Sequence, residues 1–341
     1  MKLRRRAHTM VAIALGLSLA AVASSTSSGA AGTATSSTLA TVPRLERPAG
    51  MVIAPNGVLF IADEQLNQVI ARLADGKLLV VAGTGTAGDG GDGGLATDAQ
   101  LSAPDGLARA SDGALYVTDE DSNRVREILL NDKIATFAGD GSKKTGAALA
   151  VGTPAARVAL SPSAEAVGSG GTVYVASENE IVMVSPVGLI SGVVNLATTP
   201  GVKLRYGSCD PQALATASGN LFIGCANSEQ LIERLASGRY VMIQRLYRPH
   251  DYPGIALEAG GAVLIANHES LLGLIDGKSI DLIKLDTFGK KTLVVPSGVA
   301  VSANGTIFID SQYGDGFTSG SALAKVTPAG APVLLNYWKM S

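Results

Sequence analysis

The chain has 341 residues, of which 46% are hydrophobic and 16% charged, and this balance excludes a disordered protein. Its formal net charge of −2 at pH 7 argues against a nucleic-acid-binding protein, which needs a basic surface. With only 2 cysteines, the chain is not a small domain held together by several disulfides.

The first 23 residues are predicted to be a signal peptide. Lys2 and three arginines form a basic start, and a short apolar run extends from Val11 to Ala23. This run is too short to cross a bilayer roughly 30 Å thick, so we expect no integral membrane segment in the mature chain. Residues 24–42 are rich in Ser, Thr, Ala and Gly and predict a flexible linker. We therefore expect a secreted protein, extracellular or periplasmic, whose folded domain covers 43–341.

A short motif recurs six times in that domain. Each copy begins with Gly and continues with alternating apolar residues, and the copies start at Gly57, Gly113, Gly171, Gly219, Gly261 and Gly305. Alternation with a period of two predicts a β-strand. One short predicted strand precedes each copy and two follow it; the preceding strands are predicted at 51–54, 107–110, 158–161, 214–217, 255–258 and 299–302. The pattern therefore predicts an all-β fold, a six-bladed β-propeller of four-stranded antiparallel blades.

The first two units resemble NHL repeats. The similarity is strong over 47–139, recognisable over 296–335 and degenerate in blades three to five. It is most specific in the run Asn123–Ile128, and the glycine-rich segment 83–104 resembles the connector of bacterial NHL proteins. The resemblance implies a six-bladed NHL-type propeller, related in shape to gluconolactonase-like and amidating-lyase enzymes. Because NHL propellers include binding modules, sensor domains and lyases, it implies no single activity.

Strand order brings the connectors between blades and the loops after the second strands to one face, the connector face. Acidic residues follow the second strand in four units, and the predicted ligand-binding residues among them are Asp63, Glu64, Asp119, Glu120 and Glu178. They could form a carboxylate collar for a metal or a cationic ligand. Alternatively, Asp ends these strands because it is a preferred turn residue. Arg109, on an innermost strand, is a further candidate that either binds an anion or pairs with an acidic neighbour.

His250 and His268 are the two histidines of the mature chain, and they flank the predicted first hairpin of blade 5. We expect them to lie close together on the connector face. With Asp251 they are candidate ligands of a divalent metal, zinc or calcium, and with Glu269 they are candidate catalytic residues. The alternative is a pair of ordinary surface histidines. The segment 88–94 (GDGGDGG) carries only one copy of a calcium-like pattern and favours a turn-forming loop.

Cys209 and Cys225 lie on either side of the predicted first hairpin of blade 4, at positions that face each other. Because the expected compartment is oxidising, we predict a disulfide between them.

The preferred hypothesis is a monomeric ligand- or protein-binding module at the cell envelope, with a protein, peptide or glycan as its partner and no nucleic acid. The alternative is a metal-assisted lyase or lactone hydrolase with its site at the channel mouth. The scarcity of converging catalytic residues favours the binding module.

Overall fold

The computed structural model describes residues 44–146, 148–204, 207–226, 230–245, 254–257, 263–267, 270–275, 278–284, 295–314, 319–326 and 333–339. The predicted signal peptide and linker lie outside these residues.

Within the described residues, 24 strands form four-stranded antiparallel sheets, the blades, numbered in chain order. Blade 1 contains β1 (Pro48–Ile53), β2 (Leu59–Asp63), β3 (Gln68–Arg72) and β4 (Leu78–Ala82). Blade 2 contains β5 (Pro104–Arg109), β6 (Leu115–Asp119), β7 (Arg124–Ile128) and β8 (Ile134–Ala138). Blade 3 contains β9 (Pro162–Val167), β10 (Val173–Ser177), β11 (Glu180–Val184) and β12 (Ile190–Asn195).

The remaining strands follow the same order along the chain. Blade 4 contains β13 (Pro211–Ala217), β14 (Asn220–Cys225), β15 (Gln230–Arg234) and β16 (Tyr240–Arg245). Blade 5 contains β17 (Gly254–Leu257), β18 (Val263–Asn267), β19 (Ser270–Ile275) and β20 (Lys278–Lys284). Blade 6 contains β21 (Val295–Val301), β22 (Ile307–Gly314), β23 (Ser319–Val326) and β24 (Val333–Lys339). Single 3₁₀ turns at Ala96–Asp98 and Ala155–Arg157 lie in the connectors that follow blades 1 and 2.

The blades pack face to face, and the hydrophobic core lies between them. Phe60 and Val69 of blade 1 pack in one buried cluster with Leu115 and Val117 of blade 2. Period-two alternation produces this arrangement because it gives each strand apolar residues on the sheet face that a neighbouring blade covers. The predicted all-β propeller of four-stranded antiparallel blades is confirmed.

The first strand of each blade is the innermost one. β1 contacts β5, β5 contacts β9, β9 contacts β13, β13 contacts β17, β17 contacts β21, and β21 contacts β1. These strands surround a central channel whose connector-face end is formed by their first residues.

The prediction of the first strand of blade 3 was wrong. That strand is β9, at 162–167, whereas the predicted segment 158–161 belongs to the connector before it. Val158 and Leu160 pack into the core between blades 2 and 3, so their apolar alternation imitates a strand. The true strand was harder to recognise because it carries the acidic residue Glu165 where an apolar residue is expected.

Candidate functional site

Asp63 and Asp119 occupy the last positions of β2 and β6, and both side chains are fully buried. The Asp63 carboxylate accepts hydrogen bonds from the backbone N–H groups of Glu46 (2.7 Å) and Arg47 (3.0 Å). Asp119 accepts one from the Ser102 N–H at 2.6 Å. Each carboxylate therefore anchors the segment that leads into its blade, and its predicted role in ligand binding stays a prediction.

Both anchoring carboxyl groups have perturbed acidities. Burial raises the pKa of Asp63, and it raises the pKa of Asp119 to about 6, because a buried carboxylate loses hydration. The hydrogen bonds to the two groups oppose this effect because they favour the ionised form.

The predicted disulfide between Cys209 and Cys225 is confirmed, with the Cα atoms 5.1 Å apart and both side chains buried. Cys225 pairs with Pro211 across β13 and β14, as Asp63 pairs with Pro48 across β1 and β2. The disulfide therefore occupies the position in blade 4 that the Asp63 carboxylate occupies in blade 1. It ties the segment entering blade 4 to the end of that blade's second strand by a covalent bond.

Arg109 and Glu178 occupy different ends of the fold. Arg109 is the last residue of β5, at the end of that strand remote from the connector face, and its Nη1 donates to the Ala110 carbonyl at 3.4 Å. Glu178 is exposed in the turn between β10 and β11, where its φ is +55°. For both residues, ligand binding stays a prediction.

Glu64 and Glu120 are brought together with a third carboxyl group, Asp105, which sequence analysis missed. Burial, and then the negative charges of Glu64 and Glu120, raise the pKa of Asp105 to about 7, although the Arg47 guanidinium opposes this. Arg47 Nη1 lies 3.0 Å from the Glu64 carboxylate. Burial also raises the pKa values of Glu64 and Glu120. Glu64, Asp105 and Glu120 form the acidic mouth of the channel.

A β-bulge accounts for the position of Asp105. Pro104 pairs with Asp119 and Leu107 pairs with Val117, so two residues of β5 oppose a single residue of β6. Such bulges change the direction of a side chain relative to a regular strand. Asp105 lies in the bulge, next to the connector-face end of the strand.

Glu165, in β9, is a second carboxyl group that sequence analysis missed. It pairs with Val175, and the residues at the equivalent register positions of the other blades are apolar: Met51, Leu107, Leu214, Ile255 and Val299. The first strands of several blades begin with proline, at Pro48, Pro104, Pro162 and Pro211. Aligning these prolines would have revealed Glu165 as the exception in an apolar column.

The carboxyl group of Glu165 is buried between blades, and the residue is only 5% exposed. The Thr118 hydroxyl donates to Oε2, whereas Oε1 has no hydrogen-bond partner among the described residues. Burial raises the pKa of Glu165 to about 8, the charge of Asp105 adds to this effect, and the Thr118 hydroxyl and Ala108 N–H oppose it. Since the pKa exceeds 7, Glu165 is mostly protonated at neutral pH.

Asp105 and Glu165 both line a cavity of about 90 Å³ among the innermost strands. Ser163 and Gln212 add neutral polar side chains to its wall. Gly106 makes room for the Glu165 carboxyl, because a Cβ atom there would overlap Glu165 Oε2 and press on the Thr118 hydroxyl. The cavity wall therefore presents carboxyl groups and neutral polar groups, which could hold a small polar ligand.

The glycine-rich segment 88–94 is fastened to β7 by ion pairs. Asp89 lies 2.6 Å from Arg124, and Asp92 lies 2.5 Å from Arg126, whose buried guanidinium also lies 3.5 Å from Asp119. These arginines neutralise the carboxylates that a calcium site in the segment would use.

His250, Asp251, His268 and Glu269 lie outside the described residues, so the metal and acid–base site that they would form stays a prediction. Within the described ranges, no group of three or more His, Cys, Asp or Glu side chains is arranged to hold a metal ion. Among the same residues, no helix has the length and apolarity needed to span a lipid bilayer.

Comparison with known proteins finds similarity in sequence and in fold. The family model of the teneurin NHL domain matches residues 7–129, about a third of the chain. Human teneurin-1 is 33% identical over 108 residues, and Drosophila melanogaster teneurin-m is 36% identical over 107 residues. These matches cover 28% and 29% of this chain but only 4% of each teneurin.

Solved structures with similar folds cover most of the chain. Virginiamycin B lyase from Staphylococcus aureus has a TM-score of 0.54 at 14% identity, covering 87% of each chain. A gluconolactonase from Xanthomonas campestris has a TM-score of 0.53 at 13% identity, covering 78% of this chain and 83% of its own. At such identities the likeness concerns the fold alone. Blade topology and these similarities together show a β-propeller whose N-terminal third is similar to the teneurin NHL domain.

Proposed function

We propose that this chain is an exported, six-bladed NHL-type propeller that binds a positively charged partner at the cell envelope through the connector face. The observation that carries the proposal is the convergence of Glu64, Asp105 and Glu120 at one end of the channel. Groups from two blades contribute, so the site exists only in the folded ring. The partner would be a protein, a peptide or a glycan with cationic groups.

Contacts among the innermost strands support a closed ring of six blades, since β21 packs against β1. Closure protects the sheet edges and fits a monomeric module. Export is supported by the basic and apolar start of the sequence and by the disulfide in blade 4, because disulfides persist in oxidising compartments.

The electrostatics of the acidic mouth favour a cation as the bound group. Beyond the effect of burial, the negative charges of Glu64 and Glu120 raise the pKa of Asp105, and that of Glu120 raises the pKa of Glu64. A bound cation relieves this repulsion, whereas an anion would increase it. Arg47 relieves part of it near Glu64, so the cation would compete with, or add to, that ion pair.

Fluorescence anisotropy with labelled tetralysine and tetraglutamate peptides tests the proposal. We expect tetralysine alone to bind, with an affinity that falls between low and high salt because the mouth is partly exposed to solvent. The double variant Glu64→Gln, Glu120→Gln should bind it roughly three- to tenfold more weakly, as loss of two partly exposed charges predicts.

The control is the double variant Asp75→Asn, Asp112→Asn. It removes the same charge from exposed hairpin turns at the other end of the strands, where Asn can still accept the turn hydrogen bonds from Lys77 and Ala114. Tetralysine binding by this control should equal that of the wild type. Equal binding of the two peptides, or equal losses in both double variants, would refute the proposal.

A metal-assisted lyase or lactone hydrolase remains the second candidate. The observation that favours it is the presence of two carboxyl groups in one cavity with pKa values of about 7 and about 8, because such values suit proton transfer near neutral pH. Lactone and streptogramin hydrolysis or cleavage, measured with and without added Zn²⁺ or Ca²⁺, tests it. Turnover that is lost in His268→Ala would support the enzyme, and no turnover under any condition would refute it.

A further inference from the structure

We propose that the channel cavity behind the acidic mouth is a binding site for a primary alkylammonium group, which Glu165 and Asp105 hold between β9 and β5. This inference rests on the proposed binding of a cationic partner and names the chemical group that enters the channel. The group could belong to a lysine side chain of a peptide or to a free alkylamine.

One carboxyl oxygen of Glu165 lacks a hydrogen-bond partner among the described residues. This carboxyl is 5% exposed and lines the cavity, yet Oε1 has no hydrogen-bond partner among the described residues. Leaving a buried polar atom without a partner costs free energy that a ligand donor can recover. The apolar residues at the equivalent positions of the other blades need no such partner, so Glu165 is not required by the repeat itself.

The size and the lining of the cavity also fit an alkylammonium group. Its volume of about 90 Å³ has room for an ammonium group on an alkyl stem. An ammonium can turn its donors toward acceptors on different walls, whereas the donors of a guanidinium are fixed in one plane. An ammonium has three N–H donors, and the wall offers acceptors on Glu165, Asp105 and Gln212. Apolar lining by Met51 and Leu214 would contact the methylene groups of the stem.

Binding should release a proton. Without ligand, Glu165 carries a proton at neutral pH; with ligand, its carboxylate pairs with the ammonium and the proton passes to solvent. The charged group that acts on Glu165 from the neighbouring blade is Asp105, with Glu64, Glu120 and Arg47 acting in turn on Asp105. On the other sides, β13 contributes the neutral Gln212 to the cavity and β10 places the apolar Val175 opposite Glu165. Asp105, whose pKa is about 7, titrates in the same range. Affinity should therefore rise with pH between 6 and 8, by at most about tenfold per unit for each proton that the two carboxyl groups release.

Isothermal titration calorimetry with the purified protein tests the proposal. The probes are n-butylammonium chloride, an acetylated pentapeptide with one central lysine, and the same peptide with Nε-acetyllysine or arginine. Titration in two buffers of different ionisation enthalpy measures the protons released. We expect the lysine peptide to bind at least tenfold more tightly than both modified peptides and to release protons from both Glu165 and Asp105, most of them from Glu165. Binding by n-butylammonium indicates that a free amine suffices, and binding by the lysine peptide alone assigns the group to a peptide.

Glu165→Gln keeps the shape and the Thr118 contact but cannot release a proton. It should remove the part of the proton release that comes from Glu165, leave only the part that comes from Asp105, and weaken lysine-peptide binding at least tenfold, whereas Asp75→Asn should change neither. Glu165→Met introduces the side chain that blade 1 carries at the equivalent register position, Met51, and provides a second variant if the first is poorly folded. Unchanged binding in these variants, or wild-type binding without proton release, would overturn the inference. If tetralysine still depends on Glu64 and Glu120 in that case, the proposed function survives.

Discussion

Replacing Glu165 with Gln is expected to stabilise the protein increasingly as the pH rises. Burial raises the pKa of Glu165 from an ordinary 4.5 to about 8. The folded protein therefore keeps a proton that the unfolded chain releases above pH 4.5. The stability associated with this group is complete below pH 4.5 and is lost progressively until the pH passes about 8. Glutamine does not titrate, so the variant escapes this loss.

The size of the effect follows from the shift. One pKa unit corresponds to about 1.4 kcal/mol, so the full shift sets an upper limit of about 5 kcal/mol. Because buried sites relax and admit water when a charge forms, we expect the variant to gain about 2–4 kcal/mol over the wild type at pH 8. At pH 5 the difference should be under about 1 kcal/mol, since the folded protein is protonated and the unfolded chain only partly ionised.

Urea unfolding of the wild type and Glu165→Gln at pH 5, 6, 7 and 8 measures this difference in the free energy of unfolding. Asp75→Asn is the matched control, because it neutralises an exposed carboxylate and should run parallel to the wild type. If the difference in free energy of unfolding between Glu165→Gln and the wild type stays constant from pH 5 to pH 8, Glu165 does not have a raised pKa in the folded protein.

Three further perturbations test other parts of the fold. Replacing Cys209 and Cys225 with Ser should lower the free energy of unfolding by about 3 kcal/mol, because the disulfide closes a loop across a sequence separation of 16. Chemical denaturation measures this loss, and an unchanged midpoint would contradict the role of the disulfide in anchoring the segment that enters blade 4. Gly106→Ala should cost about 1–3 kcal/mol through overlap with Glu165, whereas Gly170→Ala, which meets nothing within 4 Å, should be nearly neutral in the same assay. Arg126→Met should lower the free energy of unfolding by about 3 kcal/mol, because it leaves the buried Asp119 without its cationic partner, and it should increase protease cleavage within 88–94. Unchanged protection of that segment from protease would contradict the role of the ion pairs in holding it.

The repeating pattern was sufficient to predict the blades. Each second strand begins after a glycine, continues with apolar residues at alternate positions and ends at a small or polar residue. The disulfide was predictable for the same reason, since the hairpin fixes which residues face each other. The acidic mouth was only half predictable. Glu64 and Glu120 follow recognisable strand ends, but Asp105 reaches the channel through a β-bulge that no alternation rule anticipates.

Glu165 was missed for a different physical reason. Hydrophobic periodicity identifies strands by their apolar residues, and in blade 3 the connector residues Val158 and Leu160 supply that signal one segment too early. A buried carboxyl group in an inner strand does not match the apolar periodicity by which strands are recognised. Residues that break a repeat at a buried position are thus both the hardest to detect by pattern and the most informative about function.

Carbon-13 NMR titration of the protein labelled at its glutamate carboxyl carbons tests most directly whether the channel holds a protonated acid. We expect one resonance with a midpoint near pH 8, absent in Glu165→Gln and shifted to lower pH by the lysine peptide. Assignment of Glu165 to a resonance that titrates near pH 4.5 would contradict this expectation.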